Sequence, residues 1–226
     1  ELVESYAALQ VYRVKVKDSR LDSSLFMPVL QQKEAMASSA IEGTQATLDD
    51  VLKNQVEENR HDKDGQKIAN YFFATERGTQ LLQNGRFTTK LIKELHSVLM
   101  ENLEQGSEKE IGNFRSRQNC IARLDSNPHV VFTPPAPENV ESLMQNLIQY
   151  MVNPSDNLYP IIRTAIIHAQ FLTIHPFMDG NGRVGRILIP LYMYATRQID
   201  TPYFFVSEAL ERDKFRYYKF LTDIRE

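Results

Sequence analysis

Residues 160–173 read PIIRTAIIHAQFLT, and no other stretch restricts the fold as strongly. The run is shorter than the roughly 18 apolar residues that a membrane span needs. A segment apolar on nearly every side is, in a water-exposed protein, a helix with other helices packed around it. The chain offers such neighbours. In LIKELHSVLMENL, Leu91, Ile92, Leu95, Val98, Leu99 and Leu103 share one helical face, and in VESLMQNLIQYM so do Val140, Leu143, Met144, Leu147, Ile148 and Met151.

The helical period fails between residues 102 and 137. NLEQGSEKEIGNFRSRQN is polar and punctuated by glycine, and CIARL and HVVFTPP flank DSNP, which predicts a short β-hairpin closed by Pro134 and Pro135 before a helix near Glu138. The expected fold is therefore mainly α with one small hairpin. An N-terminal helical region is expected over residues 1–85 and a core over residues 86–226, with a charged stretch, EENRHDKDGQ, near the boundary. The chain has no initiator Met and stops on LTDIRE in mid-pattern, so a longer protein, cut at the C-terminus, is expected.

A net charge of −3 and a pI near 6.0 leave no basic footprint for nucleic acid. One cysteine, Cys120, excludes an internal disulfide, is read as a small apolar filler, and fits a reducing compartment. The first residues, ELVES, lack a basic start and an apolar core, so no leader and no membrane attachment are expected, and the location is read as cytoplasmic.

The apolar helix runs straight into HPFMDGNGRVGR, residues 175–186. Pro176 breaks the helix, and a new one is expected from Asn181 or Gly182 onward. Its first turn carries free N–H groups and the positive end of the dipole, and Gly180 and Gly182 let an anion approach the backbone. Arg183 and Arg186 lie on one side of that helix, where two guanidinium forks can reach one polyphosphate. Cations at a helix N-terminus oppose its dipole, so an anionic partner is expected. Asp179 suits Mg²⁺ alongside substrate phosphates, and His175 can take a proton. His168 is read as a hydrogen-bonded core histidine, His61, His96 and His129 as residues with no site around them, Phe177 as the anchor of the loop, and Met178 as filler.

HPFMDGNGRVGR resembles the signature of the Fic proteins, HPFx(D/E)GN(G/K)RxxR, at every fixed position. GNFRSRQN followed by FTPPAPENVESLM is similar to that family's flap and following helix, and RDKFRYYKFL to its C-terminal segment. The resemblance implies the Fic (Fido) helical fold and transfer of AMP from ATP to a Ser, Thr or Tyr hydroxyl of a protein, with release of pyrophosphate. By the same resemblance His175 is the base, Asp179 holds Mg²⁺, Gly180, Asn181, Gly182 and Arg183 cradle the phosphates, and Arg186 takes the γ-phosphate. A flap over residues 119–132 would pin the target segment by strand pairing, residues 114–118 would line the nucleotide side, and Tyr217 with Tyr218 would lie near adenine. The partners so implied are a protein substrate and the chain itself as a target of automodification, with the oligomeric state left open. Transfer of UMP, phosphocholine or a phosphoryl group, removal of AMP with Glu42 positioning water, and a nucleotide-sensing module without turnover are the alternatives.

SSAIEG, residues 38–43, reads as the end of a helix stopped by Gly43, with Ser38 one turn before Glu42. A carboxylate there opposes its helix dipole, as the two arginines oppose theirs, and the two misplacements would relieve each other. The six residues resemble the Fic inhibitory motif, (S/T)xxxE(G/N), placed ahead of the core, which implies that Glu42 pairs with Arg186 and holds the γ-phosphate out of its productive seat. Thr47 and Asp50 read as a capping box of the next helix.

Overall fold

In chain order the computed structural model has helices α1 (Leu2–Asp18), α2 (Ser23–Ile41), α3 (Lys63–Gln83) and α4 (Thr89–Leu99), strands β1 (Ile121–Arg123) and β2 (His129–Phe132), and helices α5 (Pro137–Val152), α6 (Pro160–Ile174), α7 (Asn181–Ala195), α8 (Ser207–Arg212) and α9 (Lys214–Asp223). It describes residues 1–18, 23–43, 63–103, 110–123 and 129–225, without the side chains of residues 23–26 and 28. Thr47, Asp50, His61 and the turn between β1 and β2 lie outside the described residues.

Local chemistry fixes the helix starts. The Thr88 side chain accepts from Leu91 N at the head of α4, a cap of a kind that contributes about 1 kcal/mol. Pro137 and Pro160 open α5 and α6, where the missing N–H costs nothing. The predicted faces are the buried ones: Leu91, Ile92, Leu95 and Leu99 on α4, and Val140, Met144, Leu147 and Met151 on α5.

The most enclosed helix is not the one its apolar run suggested. On α6, Ala165, Ile166 and Gln170 are exposed, Ile166 at 40% of its surface, so this helix keeps one side toward solvent. The helix buried almost throughout is α7, whose Asn181, Arg183 and Arg186 point inward with Val184, Ile187, Leu188 and Leu191. Hydropathy underrates α7 because its buried first turns carry polar groups.

One apolar cluster joins Ala35 and Ile41 of α2, Ile68 and Tyr71 of α3, Phe171 and Leu172 of α6, Ile187 and Tyr192 of α7, and Leu221 of α9. The helix bearing SSAIEG thus belongs to the same core as the loop, and it packs against α3, α7 and α8. The strands pair antiparallel, Ile121 with Phe132, Ala122 with Val130 and Arg123 with His129, with a bulge after Ile121. Val130 and Val131 remain exposed, and so does Cys120, which is therefore no buried filler. Among the described residues no helix is long and apolar enough to cross a membrane.

Candidate active site

The loop between α6 and α7 is built from backbone conformations that few residues tolerate. His175 ends α6 in the left-handed region, φ 50° and ψ 60°, with its N–H still bonded to Phe171 O at 2.9 Å. Pro176 bars an α conformation at His175, which turns the chain out of the helix. Gly180 takes φ 74° at the start of α7, a value that suits glycine. Between them Asn181 staples the loop to itself: Phe177 N donates to Asn181 Oδ1 at 2.9 Å, and Asn181 Nδ2 donates to Phe177 O at 2.7 Å. Phe177 is fully buried, as an anchor should be.

His96, read from sequence as having no site around it, proves to be part of this frame. Its ring stacks on Phe177 with centroids 3.8 Å apart and planes 2° from parallel. Gly112 N donates to His96 Nδ1 at 2.9 Å, so the ring proton sits on Nε2 and is donated to Asp179 O at 3.2 Å. Burial pushes the His96 imidazole down to about 4. Its one sequence signal was a polar residue on the apolar face of α4.

At the other end of the loop, His175 Nδ1 lies 3.3 Å from Leu172 O, which takes the ring proton and leaves the Nε2 lone pair as the acceptor. Burial lowers this imidazole to about 4, helped by the Arg225 and Arg115 cations and opposed by the Leu172 carbonyl and Glu42. It is neutral at physiological pH. Arg225 also donates to Leu172 O at 3.1 Å and lies over the Phe132 ring of β2. The His175 end of the loop is thus tied to the hairpin.

Arg186 is 1% exposed, and its guanidinium is engaged by SSAIEG. Nε donates to Ser38 Oγ at 2.8 Å, and Nη2 donates to Ser38 O at 2.9 Å and to Glu42 Oε1 at 2.7 Å. Glu42 falls one residue past the end of α2, and Gly43 follows at φ 92°, the left-handed cap expected of it. Tyr218 OH donates to Ile41 O at 3.2 Å in the same turn. A Cβ built on Gly182 would collide with Glu42 Oε1, so the carboxylate lies directly on the first turn of α7. This is where a helix favours an anion.

Arg183 is buried, with Nη2 3.9 Å from Asp179 Oδ1 and 3.6 Å from Met100 Sδ. The Asp179 side chain is half exposed, and its Oδ1 accepts from Gly180 N at 2.6 Å. No cluster of three or more His, Cys, Asp or Glu able to hold a metal occurs among the described residues. One exposed carboxylate at a helix N-terminus fits Mg²⁺ only where substrate phosphates complete the shell. Tyr217 is built into the core: its hydroxyl donates to His168 Nε2 at 2.9 Å, and His168 Nδ1 lies 2.9 Å from Gly185 O, the core histidine the sequence suggested. The Tyr218 ring stays partly exposed beside Glu42 and Arg186.

One residue from the segment expected on the nucleotide side and one from the expected flap bond to the loop. Arg115 is buried, its Nε donating to His175 O at 2.9 Å, and Asn119 Nδ2 donates to Phe177 O at 2.9 Å. A buried carboxylate unseen in the sequence, Glu34 of α2, accepts from Ser207 N and Oγ at the head of α8 and faces the charge of Arg186.

Known proteins resemble this chain in two ways. Residues 86–193 match the Fic/DOC family, and residues 5–80 match the Fic/DOC family N-terminal region. The protein adenylyltransferases Fic of Drosophila grimshawi and Drosophila virilis are each 30% identical over 156 residues, 65% of this chain and 30% of theirs. The chain is therefore matched to less than a third of the length of these relatives. Among solved structures, a Fic family protein from Desulfovibrio desulfuricans superposes with a TM-score of 0.74 at 24% identity, covering 98% of this chain and 66% of that one. A Fic domain containing signaling protein from Bacteroides thetaiotaomicron gives 0.75 at 21% identity, over 96% and 80%.

Proposed function

Because the chain belongs to the Fic/DOC family, we propose that it is a self-inhibited, Mg²⁺-dependent protein adenylyltransferase, moving AMP from ATP to a Ser, Thr or Tyr hydroxyl of a protein, itself included. The observation that carries the reading is the Glu42 carboxylate seated on the first turn of α7 and bonded to Arg186 at 2.7 Å. A site already holding one anion, with a neutral imidazole at the far end of the same loop, fits transfer from a polyphosphate to a hydroxyl.

In the reaction so read, His175 Nε2 takes the proton of the incoming hydroxyl as its oxygen bonds to the α-phosphorus. The bond from that phosphorus to the oxygen bridging to the β-phosphate breaks, and pyrophosphate leaves. The negative charge of a bound polyphosphate raises the imidazole from its depressed value toward the range useful for a base. Gly180, Asn181, Gly182 and Arg183 hold the phosphates, and Arg186 takes the γ-phosphate once Glu42 withdraws. Asp179 would hold Mg²⁺ together with the phosphates, and the ion when bound would supply charge neutralisation. Tyr217 and Tyr218 are the proposed adenine side, Tyr218 through its exposed ring and Tyr217 through the packing that sets it.

The hairpin is the proposed dock for the target, whose strand would add to its exposed edge. The test is mass spectrometry of a cell lysate incubated with ATP and the Glu42→Gly variant. AMP adducts dependent on His175 are expected on protein hydroxyls; adducts of another group, or none, would replace the reading.

A further inference from the structure

His175 is one of three described residues other than glycine with positive φ. Such a conformation persists where the surroundings over-determine it. What over-determines it is Arg115, a residue outside the loop. Its Nε donates to His175 O at 2.9 Å and its backbone N to Pro176 O at 2.9 Å, so one residue holds two successive carbonyls at the turn. The rest of the guanidinium goes to the hairpin: Nη1 donates to Arg117 O ahead of β1, and Nη2 to Pro135 O beyond β2.

Every one of these acceptors is a backbone carbonyl. Arg115 is 2% exposed, and none of the ion pairs among the described residues includes it. A buried cation with no carboxylate partner among the described residues is an expensive way to fill space, since a neutral side chain of similar size avoids the desolvation. The planar guanidinium does what no neutral residue does as well, which is to aim several N–H groups in fixed directions at once.

We propose that Arg115 is the positioning residue of the reaction, fixing the left-handed turn at His175 and binding it rigidly to both ends of the hairpin, so that the base and the strand presenting the target hydroxyl keep one geometry. The proposal rests on the adenylyltransferase reading for its kinetic consequence and on the geometry alone for its structural one. Among the described residues no hydrogen bond or ion pair joins Arg115 to the proposed phosphate cradle; its bonds go to His175 O, Pro176 O, Arg117 O and Pro135 O. Its loss therefore acts on the hydroxyl side of the reaction and leaves nucleotide affinity intact. A base misplaced by about 1 Å costs on the order of 100-fold in rate.

The experiment compares Arg115→Ala and Arg115→Lys, each made in the Glu42→Gly background. ¹⁵N imidazole spectra of His175 are read alongside the ATP Kd and kcat. In the parent a single tautomer with the proton on Nδ1 is expected. In both variants we expect mixed tautomers, a kcat lower by about 100-fold and an ATP Kd within about twofold of the parent. With Glu42 absent, the charged groups facing His175 are Arg225 and Arg115. Removing the cation in Arg115→Ala then raises the His175 titration, whereas Arg115→Lys keeps the charge and leaves that titration in place. Arg115→Lys also keeps the test open if the alanine variant fails to fold. Added guanidinium ion should restore part of kcat in Arg115→Ala, an effect that lost packing alone would not give. Unchanged His175 spectra, or a Kd that weakens as much as kcat falls, overturns the proposal. If the parent transfers no AMP while the spectra change as expected, the reaction assignment fails and the positioning role stands.

Discussion

Arg186 and Glu42 lie 144 positions apart in the chain and 2.7 Å apart in the fold, with Ser38 taking two more hydrogen bonds from the same guanidinium. The arginine is sealed in the core, while the Glu42 side chain keeps 40% of its surface exposed. The pair is therefore asymmetric: the arginine is fixed, and the glutamate, on the turn beyond α2, is the partner that can leave.

Ser38→Ala removes the hydroxyl that accepts from the buried Arg186 Nε at 2.8 Å. A stranded buried donor costs about 1–3 kcal/mol, and the variant should unfold at correspondingly lower denaturant. It should also transfer AMP faster than wild type, though less than Glu42→Gly, because Glu42 keeps its own bond to Arg186. Urea melts and label from α-labelled ATP check both; wild-type stability with wild-type activity would contradict the role given to Ser38.

Asp179→Ala should weaken Mg²⁺-dependent ATP binding and activity together, since its carboxylate is the one protein ligand proposed for the ion. Calorimetry with and without Mg²⁺ decides it. The same Mg²⁺-dependent affinity in wild type and variant would remove Asp179 from the site.

His96 and His168 are each held at about 4 by burial, below the ordinary 6.5. Folded-state values below the unfolded ones mean that the unfolded chain binds more protons in this window. Their contribution is complete above pH 6.5 and is lost as the pH falls toward 4, by on the order of a few kcal/mol. Denaturant midpoints at pH 7 and pH 4.5 should differ accordingly, and His168→Gln should lessen the difference. A stability flat across that range would contradict the neutral, hydrogen-bonded state of both rings.

What could be read from sequence follows from what kind of contact each residue makes. The loop announced itself because glycines, a proline and arginines at a helix N-terminus violate ordinary packing rules, whereas Glu42 became legible only beside that loop, through the resemblance of SSAIEG to the Fic inhibitory motif and the helix dipole it opposes. His96 and Arg115 gave little sign, since both act on backbone carbonyls and amides, which any sequence supplies. The rank of α6 and α7 was misjudged for a related reason: a buried helix that carries the site carries polar residues, and hydropathy counts them as surface. Glu34 was hidden in the same way, as a buried carboxylate whose partners, Ser207 N and Oγ, lie 173 positions away.

The most direct test of the central claim is AMP incorporation from α-labelled ATP by wild type, Glu42→Gly, Arg186→Ala and the double variant under identical Mg²⁺, with His175→Ala as the control for chemistry. Each ~1.4 kcal/mol by which the Glu42–Arg186 pair favours the closed site lowers the competent fraction about tenfold. A partly buried pair that supplies one to three such factors gives an activation of roughly tenfold to a thousandfold in Glu42→Gly. Arg186→Ala should show no such gain, because it also removes the proposed γ-phosphate ligand, and the double variant should match it. Equal incorporation by wild type and Glu42→Gly, both lost with His175→Ala, would leave transfer standing and contradict inhibition by Glu42.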